Sequence, residues 1–218
     1  MRRLLFEKTE NAVWISHLDL MRLFQRAFKR AGLHLTHTQG YNPRPSVSIA
    51  LPMSVGVESV CELLDFELDK DADIKEIPSL LNACLVPGVR VLDAYENGRK
   101  VRDLSLIRVQ VTMTYDNGVP ACAADAILDL FNRESLVVVK TSKKGTTEQD
   151  IIPMIRELTV KQRDNMRIVL DAIICCQNPT LNPMQLTAAI SAYLPHLKPD
   201  DSICRRIEIF DNSQIVFR

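Results

Sequence analysis

The sequence carries no net charge: 27 lysines and arginines stand against 27 aspartates and glutamates in 218 residues. A polycation that coats nucleic acid along its whole surface is thereby excluded. A local basic face is not, because a sum hides its distribution. No apolar run approaches the roughly 18–20 residues of a membrane span, so no membrane segment is expected. The opening stretch MRRLLFEKTENAVW lacks the apolar core and small-residue cleavage site of a secretion signal, and the expectation is a mature cytoplasmic N-terminus. None of the six cysteines (Cys61, Cys84, Cys122, Cys175, Cys176 and Cys204) makes a C-x-x-C pair. Adjacent Cys175 and Cys176 suit neither a zinc knuckle nor a simple disulfide, so buried, reduced thiols are expected.

Catalytic and cofactor signatures are missing as well. G-x-S-x-G, G-x-G-x-x-G and H-E-x-x-H do not occur, and neither does the C-x₃-C-x₂-C-like triad of a radical-SAM cluster. The strand-like segments LVVVKT and RIVLDAI lack the exposed aromatic pair of an RNA-recognition motif. These absences lead to an expectation of no cofactor and no metal.

What remains is ordinary globular composition, 46% hydrophobic and 25% charged, long enough for one large domain or two of about 100 residues. Charge is unevenly spread. Residues 1–50 hold eight lysines and arginines against three acids, whereas residues 51–100 hold five against ten. Either two solvated faces attract one another, or the first stretch offers a basic surface to phosphates or to an acidic partner.

The patterning predicts a strand over 2–8, with 12–15 continuing it or forming a hairpin. Leu18, Met21, Leu23, Phe24, Ala27, Phe28 and Ala31 recur at helical steps, predicting a helix from His17 to Ala31 capped by Ser16 and stopped at Gly32. Short strands are predicted over 33–38, 46–51 and 60–68, a helix over 71–85 and a strand over 89–95. The second half predicts strands over 107–115, 136–141, 167–175 and 203–210, the last extended by 213–217. Its predicted helices cover 120–132 and 183–193, and 147–158 reads as a bent strand and short helix. Each half thus follows a β-α-β-β-α-β order, and the fold expected is α+β: tandem ferredoxin-like units with antiparallel sheets, 1–98 and 104–218, joined by the polar stretch around 98–103.

Three segments carry candidate chemistry. On the first helix Arg22, Arg26, Lys29 and Arg30 occupy a basic stripe opposite the apolar one. His17 stands in the first turn, but Asp19, two positions on, does not share its face, so a capped helix start competes with an acid–base role. The loop Gln39-Gly40-Tyr41-Asn42-Pro43-Arg44-Pro45 is stiffened by two prolines. Tyr41, Asn42 and Arg44 are equipped to stack on a base and pair with a phosphate, unless Tyr41 packs on the core. His34 and His37 flank this loop, yet no carboxylate or cysteine at zinc-like spacing completes a metal set with His17. Finally, Lys140, Lys143 and Lys144 surround a turn and form a possible phosphate patch, though the first glycine of a P-loop is absent.

Three stretches, WISHLDLMRLFQRAFKRAGL, TQGYNPRPSVSIALPMSVGVESVCELLDFEL and VVKTSKKGTTEQDIIPMI, together resemble the radical-SAM-linked family known as domain of unknown function 2344. Ser16, His17, Asp19, Arg22, Arg26, Gly40, Asn42, Pro43, Arg44, Pro45, Gly56, Glu62 and Asp65 fall on motif-like positions, as do Lys143, Lys144, Gly145 and Asp150, while Tyr41 stands where an aromatic is usual. The resemblance assigns no role to these residues. It implies a bacterial cytoplasmic accessory protein tied to a radical-SAM protein and to RNA processing or modification.

The leading expectation is a noncatalytic module that binds RNA, or docks a radical-SAM partner, through its basic N-terminal face. One alternative is a metal-independent RNA-processing enzyme using His17. Another is a protein-binding adaptor whose interface is the acidic stretch Glu58, Glu62, Asp65, Glu67 and Asp69. Oligomeric state is not encoded legibly.

Overall fold

The chain divides into two units, Met1–Val101 together with Arg218, and Arg102–Phe217. A computed structural model describes residues 2–142 and 145–218, side chains at 140–142 excepted. The expected α+β class and antiparallel pairing are both present.

The first unit runs β1 (Arg2–Lys8), α1 (His17–Arg30), β2 (Val47–Ala50), β3 (Glu58–Phe66), α2 (Ile77–Asn82) and β4 (Val89–Glu96). β3 pairs with β2 and β1, and β1 with β4, all antiparallel, giving the spatial order β2-β3-β1-β4. Side chains alternate across a pleated strand. Leu4 and Phe6 of β1, Ile49 of β2, Leu64 and Phe66 of β3 and Val91 of β4 therefore share one face. They form a single buried core with Leu20, Phe24, Ala27 and Phe28 of α1 and Ile77 and Leu81 of α2. Phe6 meets Phe24 edge-on at 4.8 Å between ring centroids, and Phe28 lies 5.1 Å from Phe66.

α1 ends as its sequence predicts. Gly32 has φ +73, its N–H donates to the Lys29 carbonyl (3.3 Å), and the Leu33 N–H donates to the Phe28 carbonyl (2.9 Å). This is a Schellman closure, with Leu33 and Phe28 both in the core. Three expectations fail in this unit. Residues 12–15 are no strand: Glu10–Trp14 winds into a 3-10 turn that buries Ala12 and Val13. Residues 33–38 make only isolated bridges, Leu35 to Leu68 on one side and His37 to Pro45 on the other, so neither partner extends into a ladder. The second helix is short because Asp73 accepts the Lys75 N–H (2.9 Å) in a local turn, and Pro78 fits only at a helix start.

The second unit runs β5 (Leu104–Thr114), α3 (Ala123–Phe131), β6 (Val137–Ser142), β7 (Gly145–Asp150), β8 (Ile155–Gln162), β9 (Arg167–Cys175), α4 (Met184–Tyr193) and β10 (Asp201–Asp211). Four of its strands pair in the order β10-β5-β9-β8, each pair antiparallel. β6, expected inside the main sheet, instead pairs with β7 in a two-stranded hairpin among the described residues. β7 reads GTTEQD and its first four residues are exposed, so it has no apolar face to bury. The place beside β9 is taken by β8. Residues 213–217 do not extend the last strand. Asp211 accepts the Ser213 and Ile215 N–H groups (2.8 and 3.0 Å), and the chain folds back to a Phe210–Val216 bridge.

Four thiols (Cys61, Cys175, Cys176 and Cys204) are buried, Cys84 is half-buried and Cys122 is exposed. Burial pushes the Cys176 and Cys204 thiols up to about 12, which keeps them protonated and unreactive.

On the face of the first sheet opposite α1 and α2, Arg3 stands across from Asp65 and Tyr95. Its guanidinium is wholly buried and grips Asp65 with two bonds (2.6 and 3.1 Å), while the Asp65 side chain is 15% exposed. Burial disfavours the Arg3 charge, and the Asp65 carboxylate more than offsets this, so the Arg3 pKa stays above its ordinary value. Removing one partner of a buried pair takes away the main compensation for the other's buried charge. Asp65→Ala is expected to lower stability by about 3 kcal/mol in urea unfolding, and a loss below about 1 kcal/mol would mean that the pair behaves as a surface contact.

Candidate nucleic-acid interface

The start of α1 is held by a short relay. The Ser16 hydroxyl accepts the Asp19 N–H (3.2 Å) and donates to the Asp19 carboxylate (2.7 Å). Arg22 donates to the other Asp19 oxygen (2.9 Å). Hydrogen bonds from Ser16 and Arg22 hold the Asp19 carboxyl below its usual range. This contribution is present above the ordinary aspartate pKa and is lost as pH falls through the depressed one.

At 3.6 residues per turn, Arg22, Arg26 and Lys29 fall on one stripe, opposite Leu20, Phe24, Ala27 and Phe28. All three cations are exposed. Arg30 is also exposed, but its guanidinium donates to the Cys84 carbonyl, which draws it from the stripe toward the segment after α2. Of the other early cations, Arg2 pairs with Asp71 (2.7 Å) and Glu96 (3.2 Å), Arg3 pairs with Asp65, and Lys8 is buried beside the Val13 carbonyl.

Residues 38–44 project as a loop pinned at its base. The Thr38 N–H donates to the Arg44 carbonyl (2.8 Å), and the Arg44 N–H donates to the Thr38 hydroxyl (3.0 Å). Everything between is exposed, including Gly40, Asn42 and Pro43. Tyr41 is fully exposed, so it does not pack on the core. A groove of about 360 Å³ connects loop and helix: Gln25 and Lys29 of α1 line it together with His34, His37, Pro45 and Asp69. The groove thus joins Lys29 of the helix stripe to His37 and Pro45 on either side of the loop; Arg22, Arg26, Tyr41 and Arg44 do not line it.

Other expected residues lie elsewhere. His17 is exposed at the first position of α1, and Asp19 is committed to Ser16 and Arg22, so the two do not form an acid–base pair. The acidic stretch is no continuous exposed face: Glu62 is buried and Asp65 is taken by Arg3, leaving Glu67 and Asp69 exposed and Glu58 half-buried. Lys143 and Lys144, and the side chain of Lys140, lie outside the described residues. Among the described residues no group of three or more His, Cys, Asp or Glu side chains is close enough to hold a metal ion, and no helix is long and apolar enough to cross a membrane.

Residues 2–183 match the family described as "Uncharacterized protein conserved in bacteria (DUF2344)". The chain belongs to the DUF2344 family. No curated protein matches it. Among solved structures, the DUF2344 chain is similar to a chain in the crystal structure of a Cbf5-Nop10-Gar1 complex at 10% identity and TM-score 0.48, covering 95% of this chain and 48% of that one. It thus spans about half the length of that chain. A second likeness, to an unknown protein from Galdieria sulphuraria, has 10% identity and TM-score 0.27 over 94% of this chain and 96% of that one.

Two features of the DUF2344 chain escaped the sequence. Glu62 and Asp65 read as surface acids because a charge pattern does not show which strand is covered. Trp14 read as part of a strand or hairpin over 12–15, yet it ends a 3-10 turn and is 69% exposed. The one available signal was its place two residues before the Ser16 cap, outside any alternating run. Because Tyr41 touches only solvent, Tyr41→Ala is expected to leave the urea midpoint within about 0.5 kcal/mol of the parent, whereas a loss above about 1 kcal/mol would show that the ring packs.

Proposed function

We propose that this DUF2344 chain is a noncatalytic RNA-binding module built from two ferredoxin-like units, the second interrupted by the β6–β7 hairpin, and that it serves a radical-SAM-linked system as an accessory. The order β2-β3-β1-β4 in the first unit and the order β10-β5-β9-β8 in the second support the fold reading. The observation that carries the functional reading is the shared groove. Lys29 on the α1 stripe and the residues flanking the loop, His37 and Pro45, line the same depression, which supports a surface shared by the helix cations and the loop.

The roles divide by chemistry. Arg26, Lys29 and Arg44 pair with phosphates, and Tyr41 stacks on a base. Arg22 contributes less, because Asp19 already neutralises it. The competing reading of His17 as a catalyst loses Asp19, which is engaged by Ser16 and Arg22, and incubated RNA is expected to be recovered at full length by the parent and by His17→Ala alike. Radical-SAM chemistry belongs to the partner in this proposal.

Binding to single-stranded RNA is expected to weaken with salt at a log–log slope of about −0.7 per phosphate contacted. Fluorescence anisotropy of labelled RNA across a salt series should show Arg26→Gln and Lys29→Gln each reducing the slope by about 0.7. The combined Arg26→Glu, Lys29→Glu and Arg44→Glu variant should lose binding at moderate salt. Undiminished affinity in that variant would remove the site, and pull-down of a radical-SAM protein without RNA binding would favour protein docking instead.

A further inference from the structure

We propose that Trp14 is a second stacking platform, so that the first unit grips a single-stranded RNA segment along α1 between Trp14 at one end and the Tyr41 loop at the other. This rests on the RNA-binding reading and names the form of RNA that the site takes.

Trp14 is the one tryptophan of the chain, and it is held rigidly while most of its ring faces solvent. Its neighbours Ala12 and Val13 are buried, and the Ile15 N–H donates to the Ala12 carbonyl (3.0 Å). The six-membered ring lies against Gly56: a Cβ added there would sit 3.4 Å from Cζ3 and 3.6 Å from Cη2. Gly56 has φ +84, a conformation that other residues adopt only with strain, and its N–H donates to the Val13 carbonyl (3.0 Å). The family-motif glycine is therefore the bracket on which the indole rests. A large ring fixed in advance at the surface stacks with little ordering cost.

Charge complementarity selects the occupant. Beyond Trp14 the chain enters the Ser16–Asp19–Arg22 relay and then the exposed cations Arg26 and Lys29, a helix length of about 21 Å. Between Trp14 and Lys29 the one acid in the sequence is Asp19, engaged by Arg22; Glu10 precedes Trp14, and Asp69 lines the groove beside Lys29. Leu18, four residues after Trp14, and Val55, next to Gly56, are exposed and offer further apolar surface on the same segments. Paired bases are already stacked on one another, so a platform of this kind takes unpaired ones.

The sole tryptophan makes the test direct. The full chain is titrated with oligouridylate, with duplex RNA and with heparin, a polyanion without bases, while tryptophan emission and the anisotropy of labelled oligouridylate are recorded. Oligouridylate is expected to quench Trp14 and heparin to bind without comparable quenching, with duplex RNA the weaker ligand. Trp14→Ala should weaken oligouridylate binding about ten-fold with an unchanged salt slope, and Trp14→Tyr should restore most of it. Full salt-dependent binding with unchanged emission and an unaffected Trp14→Ala variant would overturn the platform while leaving the RNA-binding reading intact. Equal quenching by heparin, or equal affinity for duplex RNA, would overturn it too. Absence of any oligouridylate binding would overturn the reading and the platform together.

Discussion

Burial of one face of α1 is the constraint on which the first unit depends. Leu20, Phe24, Ala27 and Phe28 fill the space above the sheet against Leu4, Phe6, Leu64 and Phe66, and a buried apolar side chain of this size is worth about 1.5–3 kcal/mol. Like charges one turn apart cost only a few tenths of a kcal/mol each. Core packing therefore decides the rotation of the helix, and Arg22, Arg26 and Lys29 must face outward together. The basic surface is a consequence of the apolar one, fixed by a cap at Ser16 and a glycine stop at Gly32.

The electrical division of the first hundred residues has a related explanation. Several acids of the second stretch are partners of the first strand: Asp65 for Arg3, Asp71 and Glu96 for Arg2. The Arg2 pairs are exposed and contribute little, but they remove a cation from the surface count. What stays positive and open is α1 and the loop beyond it. A charge sum over a segment overstates a binding face because it cannot separate strand cations from helix cations.

How far the sequence was legible follows from where local rules decide. α1, its cap and its stop were readable because periodicity, Ser16 and Gly32 agree, and β9 was readable as an apolar run, IVLDAIIC, interrupted at Asp171. The 3-10 turn at 10–14 and the fragmented 33–38 segment were not, since both take their form from distant partners. β6 and β8 exchanged places for a similar reason: VVVKTS looks more like a sheet strand than IRELTVKQ, and only tertiary pairing shows otherwise. At the site, the basic stripe and the Tyr41–Arg44 loop were visible in the residues. The groove that joins Lys29 to the loop's flanks at His37 and Pro45, the burial of Glu62 and the exposure of Trp14 required the fold.

The central claim is that RNA meets the first unit along α1 and the loop at 38–44. Photo-crosslinking of single-stranded RNA to the full chain, followed by mass spectrometry of the crosslinked peptides, tests it most directly. Crosslinks are expected to concentrate in residues 14–44; crosslinks confined to residues 102–217, or none at all, would contradict RNA binding along α1.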